Sequence, residues 1–349
     1  LPSWQRLQHH VDPRWQRLAT FQLATLYTDG LLEPRPPRQC QDLARAHTLW
    51  TTLAAETRYA PMATRALRQP AQTLLRPALR QHEGSDYLWI DCPGAQAVTV
   101  VFSCIATHHT FAEVATLRGR LSGQHLMFVR CPDKNWYCDE TWDRVHALLR
   151  DRVQSRFAPD QVTCWYGSMG GHGALKAALA FGWRAIVFNP QTDLDLWAAF
   201  RPRERALLWA ADRQARLTEL PLASWERAPM YLACGAATAD REALSVVIAQ
   251  LRRCRHASAI IEKFDDTNHA GLMNRIAGGA VAPVLARITQ RLQLVAGTAP
   301  AAGAQVLDGD AAQAAFWDGL DAARALKVEV QLRDGRLWWQ PSQACGTRP

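Results

Sequence analysis

The sequence predicts an α/β protein: a mostly parallel, doubly wound sheet with a helical N-terminal extension and a small C-terminal appendage. Three observations lead there. From Tyr87 onward, short apolar, β-branched runs recur; longer amphipathic runs alternate with them; and one serine stands between glycines where a strand-like run turns into a helical one. Nearly continuous hydrophobicity suits strands covered on both faces. Alternation of such strands with helices at this spacing implies parallel crossovers.

Residues 1–86 read as helices and loops, with Pro34, Pro36 and Pro37 interrupting the stretch after "LATLYTDGLLE". The core is expected over 87–295. Its strands are "YLWID", "AVTVVFS", "HLMFVR", "VTCWYG", "RAIVFNP", "MYLACG" and "SAIIEKF". In "TWDRVHALLRDRVQSRF", Trp142, Val145, Leu148, Leu149 and Val153 fall on one face at the 3.6-residue period. Residues 239–254 and 270–294 read as helices in the same way. Residues 296–349 open with the small-residue linker "AGTAPAAGAQ" and continue as a helix and a hairpin expected to pack on the core.

Composition narrows the function classes. The chain has 349 residues, with 40 basic and 32 acidic side chains and a net charge of +8. That field is diffuse, and no Lys/Arg run, zinc-finger spacing or aromatic ribonucleoprotein pattern accompanies it, so a nucleic-acid partner is not indicated. Nine cysteines without a C-x-x-C pair argue against a disulfide framework and against a structural zinc site, and fit a reducing cytoplasm. The first residues lack a signal-peptide pattern, and no uncharged apolar run reaches the roughly 18 residues a membrane span needs. The expected partner is a small-molecule or saccharide acyl substrate; no metal is called for, and the oligomeric state is left open.

Gly167-Ser168-Met169-Gly170-Gly171 fits G-x-S-x-G between a strand and the helix-like "GHGALKAALAFG". A nucleophile on a tight strand-to-helix turn needs glycines so that neighbouring backbone can pass without Cβ clashes. There the N–H of Met169, at a helix N-terminus, faces charge developing on a carbonyl oxygen. A serine hydroxyl needs a base, and the base an orienting acid. His269, in the loop after "SAIIEKF", is the expected base; His108, His109, His172 and His256 fit less well. Asp240, after "MYLACG", is the expected acid, with Asp193 and Asp195 as alternatives and Asp265 and Asp266 shaping the histidine loop. Ser103 or Cys104, after an early strand, would supply the second oxyanion donor. Trp136 and Tyr137 are candidates to stack on a sugar ring.

With these residues in place, positions 87–295 resemble the α/β-hydrolase superfamily of serine hydrolases and acyltransferases. More narrowly, "RCPDKNWYCD", "YGSMGGHGAL" and "FNPQTDLD" resemble a bacterial group that includes capsular polysaccharide O-acetyltransferases and the glycan-acetylating component of accessory secretion systems. The resemblance implies that Ser168, His269 and Asp240 pass an acyl group from a donor such as acetyl-CoA, as co-substrate, to a sugar hydroxyl through an acyl-enzyme, with no cofactor required. Two other expectations share the fold: a biosynthetic thioesterase, and a silent scaffold that binds a partner.

Overall fold

The computed structural model describes residues 81–83, 86–105, 123–195, 216–265, 281–297 and 303–342, together with His269 and scattered other positions. The chain divides into two compact units, Leu1–Leu79 and Arg80–Pro349. Most of the first, and with it the expected helical extension, lies outside the described residues. Among its described positions Ala19 and Leu23 are buried.

In the second unit the apolar runs form the strands of one sheet. These are β1 (Gln81–Glu83), β2 (Tyr87–Ile90), β3 (Ala97–Phe102), β4 (Gln124–Val129), β5 (Val162–Gly167), β6 (Arg184–Pro190), β7 (Met230–Cys234), β8 (Ala257–Lys263), β9 (Gln305–Leu307), β10 (Leu326–Arg333) and β11 (Arg336–Pro341). Their order is β1-β2-β4-β3-β5-β6-β7-β8-β10-β11-β9. The stretch from β4 to β8 is parallel throughout; β2 joins β4, and β10 joins β8, antiparallel. Every residue of β6 and β7 is buried, as expected of central strands, and the polar Arg184 and Asn189 of β6 are buried with the apolar residues between them.

The described helices are α1 (Asp139–Leu149), α2 (Ser168–Phe181), α3 (Leu222–Arg227), α4 (Thr238–Arg253), α5 (Val281–Ala296) and α6 (Asp310–Ala322). α1 buries Trp142, Val145 and Leu149 and runs on into a π-turn at Arg150–Gln154 that buries Val153; of the expected apolar face only Leu148 is left half-buried. Of the helix expected over 270–294, residues 270–280 lie outside the described set and the remainder falls within α5.

The C-terminal stretch does form a helix and a hairpin, and the hairpin continues the main sheet: β10 runs beside β8 from Leu326, opposite Lys263, to Leu332, opposite Ala257. Glu329 of β10 meets Arg291 of α5, whereas Trp339, in register with Val330, packs on Phe316 of α6. Successive residues of a strand face opposite sides, so α5 and α6 cover opposite faces of this extension.

β3 pairs with β4 on one side and β5 on the other, so the chain reverses its progress across the sheet between them. Beyond the carboxyl ends of strands flanking such a reversal a crevice opens where ligands bind. Ser103 and Cys104 leave one lip of it and Ser168 the other.

Candidate active site

Ser168 follows β5 and opens α2 with φ 56°, the left-handed region that costs a side chain steric energy. The glycines around it are there because nothing larger fits. A Cβ on Gly170 would lie 2.6 Å from the carbonyl oxygen of Phe102 and 2.9 Å from that of Ser103, so α2 touches the end of β3 directly. A Cβ on Gly171 would meet Val187 at 2.8 Å, one on Gly173 would enter the Tyr137 ring at 2.5 Å, and one on Gly167 would meet the Phe188 carbonyl at 2.9 Å.

The serine, the histidine and the acid come together. His269 Nε2 lies 2.9 Å from Ser168 Oγ, and His269 Nδ1 lies 2.7 Å from Asp240 Oδ1. In the tautomer this arrangement selects, Nδ1–H donates to the carboxylate and Nε2 accepts from the serine hydroxyl. Asp240 is fully buried in the first turn of α4, where the helix dipole favours negative charge. Its Oδ2 has no hydrogen-bond partner among the described residues. His269 is partly accessible, with 21% of its side chain exposed.

The competing residues lie elsewhere or are otherwise occupied. His172 is buried with Nδ1 against the Gln191 carbonyl. His256 is exposed, 3.8 Å from Asp334. Asp195 pairs with Arg216, and Asp193 bonds the backbone N–H of Asp195. Asp265 is exposed, and His108, His109 and Asp266 fall outside the described residues.

Two expectations need correcting. The N–H of Ser103 donates to Val129 O at 2.9 Å, and its hydroxyl accepts from Cys131 N at 3.1 Å. Ser103 therefore ties the end of β3 to the end of β4 and has no N–H left for an oxyanion. Of the two candidates Cys104 remains, half-buried at the start of the loop that follows. Met169 sits in the first turn of α2, whose N–H groups have no acceptor within the helix.

Trp136 and Tyr137, the expected sugar platform, have no exposed surface. Both adopt positive φ, as do Lys134 and Asp139, and this twisted backbone accompanies rings that lie inward. Tyr137 OH donates to the Ser103 carbonyl at 3.0 Å and its ring packs edge-on against Phe102. Trp136 Nε1 donates to Gln191 Oε1.

The three stretches that carry the family resemblance touch one another. The 130–139 loop meets α2 through Tyr137 and Gly173, and meets the segment after β6 through Trp136 and Gln191. Buried Lys176 of α2 donates to the Tyr137 carbonyl at 3.0 Å and lies over the Trp142 ring, and desolvation draws its pKa down to about 8. Burial pushes the thiols of Cys138 and Cys234 up to about 12, leaving them protonated and poor nucleophiles. Among the described residues no three His, Cys, Asp or Glu side chains gather as a metal site requires.

Sequence reading missed Asn189, at the end of β6, which donates through Nδ2 to the His269 carbonyl at 2.7 Å. An asparagine followed by proline at a strand end was its only mark.

No protein-family model and no curated protein matches the sequence. Among solved structures, the fold is similar to the capsule O-acetyltransferase of Neisseria meningitidis serogroup A, at 12% identity and a TM-score of 0.47, over 62% of this chain and 96% of that one. It is similar also to a lipase/esterase from Lactobacillus plantarum (13%, TM-score 0.43, 62% and 98%) and to a glycosylation-associated protein complex from Streptococcus agalactiae (18%, TM-score 0.40, 61% and 45%). The strand order β2-β4-β3-β5-β6-β7-β8, antiparallel only at β2, with a left-handed serine on the turn between β5 and α2, is that of the α/β-hydrolase fold.

Proposed function

We propose that this protein is a serine-dependent acyl-transfer enzyme that hydrolyses an ester or passes an acetyl group to a hydroxyl of a sugar or polysaccharide. The observation that carries the reading is the unbroken chain from Ser168 Oγ through the His269 ring to Asp240, at 2.9 and 2.7 Å. Both lengths are within hydrogen-bond reach without rearrangement.

In this scheme Ser168 Oγ attacks the acyl carbonyl carbon while its proton passes to His269 Nε2. The carbonyl oxygen, now negative, accepts from the N–H groups of Met169 and Cys104. Asp240 holds the ring in register and stabilises the imidazolium. Collapse of the tetrahedral species breaks the bond to the leaving thiolate or alkoxide, which takes the proton from His269. The acyl group is then an ester on Ser168. Water or a sugar hydroxyl, deprotonated by His269, attacks it and restores the serine. Which acceptor prevails depends on how far water is kept out of the crevice. A sugar acceptor and a donor such as acetyl-CoA are supported by the resemblance of the three stretches now seen to pack together.

A fluorophosphonate probe tests the reading. Labelling is expected of the wild type and not of Ser168→Ala, and Asp240→Asn should slow it by roughly 10⁴-fold, because the amide selects the wrong imidazole tautomer. Acetyl-CoA turnover with and without a saccharide then separates transferase from hydrolase. No labelling of the wild type would leave the scaffold reading in its place, and labelling that survives Ser168→Ala would place the nucleophile elsewhere.

A further inference from the structure

We infer that Asn189 is a positioning residue that sets the histidine and the acid of the site through one carboxamide; this rests on the reading of Ser168, His269 and Asp240 as a triad. Asn189 is the penultimate residue of β6, the strand between β5, which leads into Ser168, and β7, which leads toward Asp240. It is buried and takes φ 45°. Asparagine is among the few residues with a side chain that tolerate that conformation. Its Nδ2 donates to the carbonyl oxygen of His269 at 2.7 Å. Its Oδ1 accepts the N–H of Gly235 at 2.8 Å, one residue beyond β7 at the start of the loop that leads into α4 and Asp240.

Both polar atoms of a buried amide are therefore spent on the backbones that carry the base and the acid. Neighbouring residues extend the junction. Thr192 Oγ1 donates to the Ala243 carbonyl of α4 at 2.9 Å, and the Gln191 carbonyl meets His172 Nδ1 of α2. Residues 189–192 thus bind the helix of the serine, the helix of the acid and the loop of the base. A hydrogen bond inside a protein is directional and costly to leave half-made, so this amide resists any slide of His269 relative to Asp240. A displacement of about 1 Å in such an array lowers rates by about 10²-fold.

Two substitutions separate positioning from mere support. Asn189→Asp keeps the shape, the tolerance of positive φ and the acceptor for Gly235, but sets an oxygen against the His269 carbonyl. Asn189→Gly accepts the same backbone conformation and deletes both bonds without repulsion. With the fluorophosphonate probe, both variants should show a maximal inactivation rate lowered by about 10–100-fold, with half-saturating concentration unchanged. A purely structural residue would lower the melting temperature while leaving the maximal inactivation rate of the folded protein in place. A wild-type maximal rate in both variants, with Ser168→Ala silent, would overturn the assignment of Asn189 alone. Labelling that survives Ser168→Ala would overturn the triad and this assignment with it.

Discussion

His172 lies one helical turn beyond Ser168, yet it is not the base. It is fully buried, Nδ1 is taken by the Gln191 carbonyl, and Nε2 has no partner among the described residues. Desolvation, reinforced by the Lys176 charge, holds its pKa down to about 3, so the ring stays neutral over the range in which enzymes work. The consequence is a stability effect. An unfolded chain takes up a proton at this ring as the pH falls through the ordinary value of 6.5, whereas the folded protein refuses it until about pH 3. In that window the unfolded state binds more protons, so stability declines on acidification, by about 1.4 kcal/mol per pH unit from this one group. His172→Asn, which keeps a donor for the Gln191 carbonyl, should flatten the urea midpoint between pH 6.5 and 4 by that slope. An acid limb equally steep in the variant would show that His172 is not its origin.

Glycine means different things in two helices. In α2, Gly173 lets Phe102 and Tyr137 pack against the backbone; a methyl group there would lie 2.5–2.8 Å from ring atoms held on several sides. Overpacking of this kind costs about 1–3 kcal/mol, which exceeds the gain of about 1 kcal/mol in helix propensity. Gly173→Ala should therefore lower stability. In α6, Gly319 is exposed and a Cβ would meet nothing within 4 Å, so Gly319→Ala should raise stability by about 0.5–1 kcal/mol. Opposite shifts in melting temperature would bear this out; shifts of the same sign would not.

The same contrast explains what could be read from the chain. β2 through β8 were legible because a strand buried on both faces must be apolar along its length, and the serine turn because its glycines answer local steric demands. The pairing of β10 with β8 was not, since a hairpin reads alike whether it lies on a sheet or extends it. Trp136 and Tyr137 were misread as a platform because their inward direction accompanies positive φ at residues that carry no glycine. Asn189 escaped notice because its role joins loops far apart in sequence.

The site exists only when the whole sheet does. Ser168 follows β5, Asp240 follows β7 and His269 follows β8, so the registers of four neighbouring parallel strands determine whether three side chains meet. The C-terminal extension is bound into the same framework. Lys263, at the end of β8, donates to the carbonyls of Leu320 and Asp321 at 2.9 and 2.6 Å, satisfying the open end of α6. Arg241, next to Asp240, reaches the carbonyls of Phe264 and Arg324. Among the described residues no helix is long and apolar enough to cross a membrane. The most direct test of Ser168 as nucleophile is to quench the protein during turnover of an activated acetyl ester and map the acetyl group by peptide mass spectrometry. Acetylation of Ser168 is expected, formed roughly 10⁴-fold more slowly in His269→Ala; acetylation at another side chain, or at Ser168 with undiminished rate in that variant, would contradict the roles of Ser168 as nucleophile and His269 as its base.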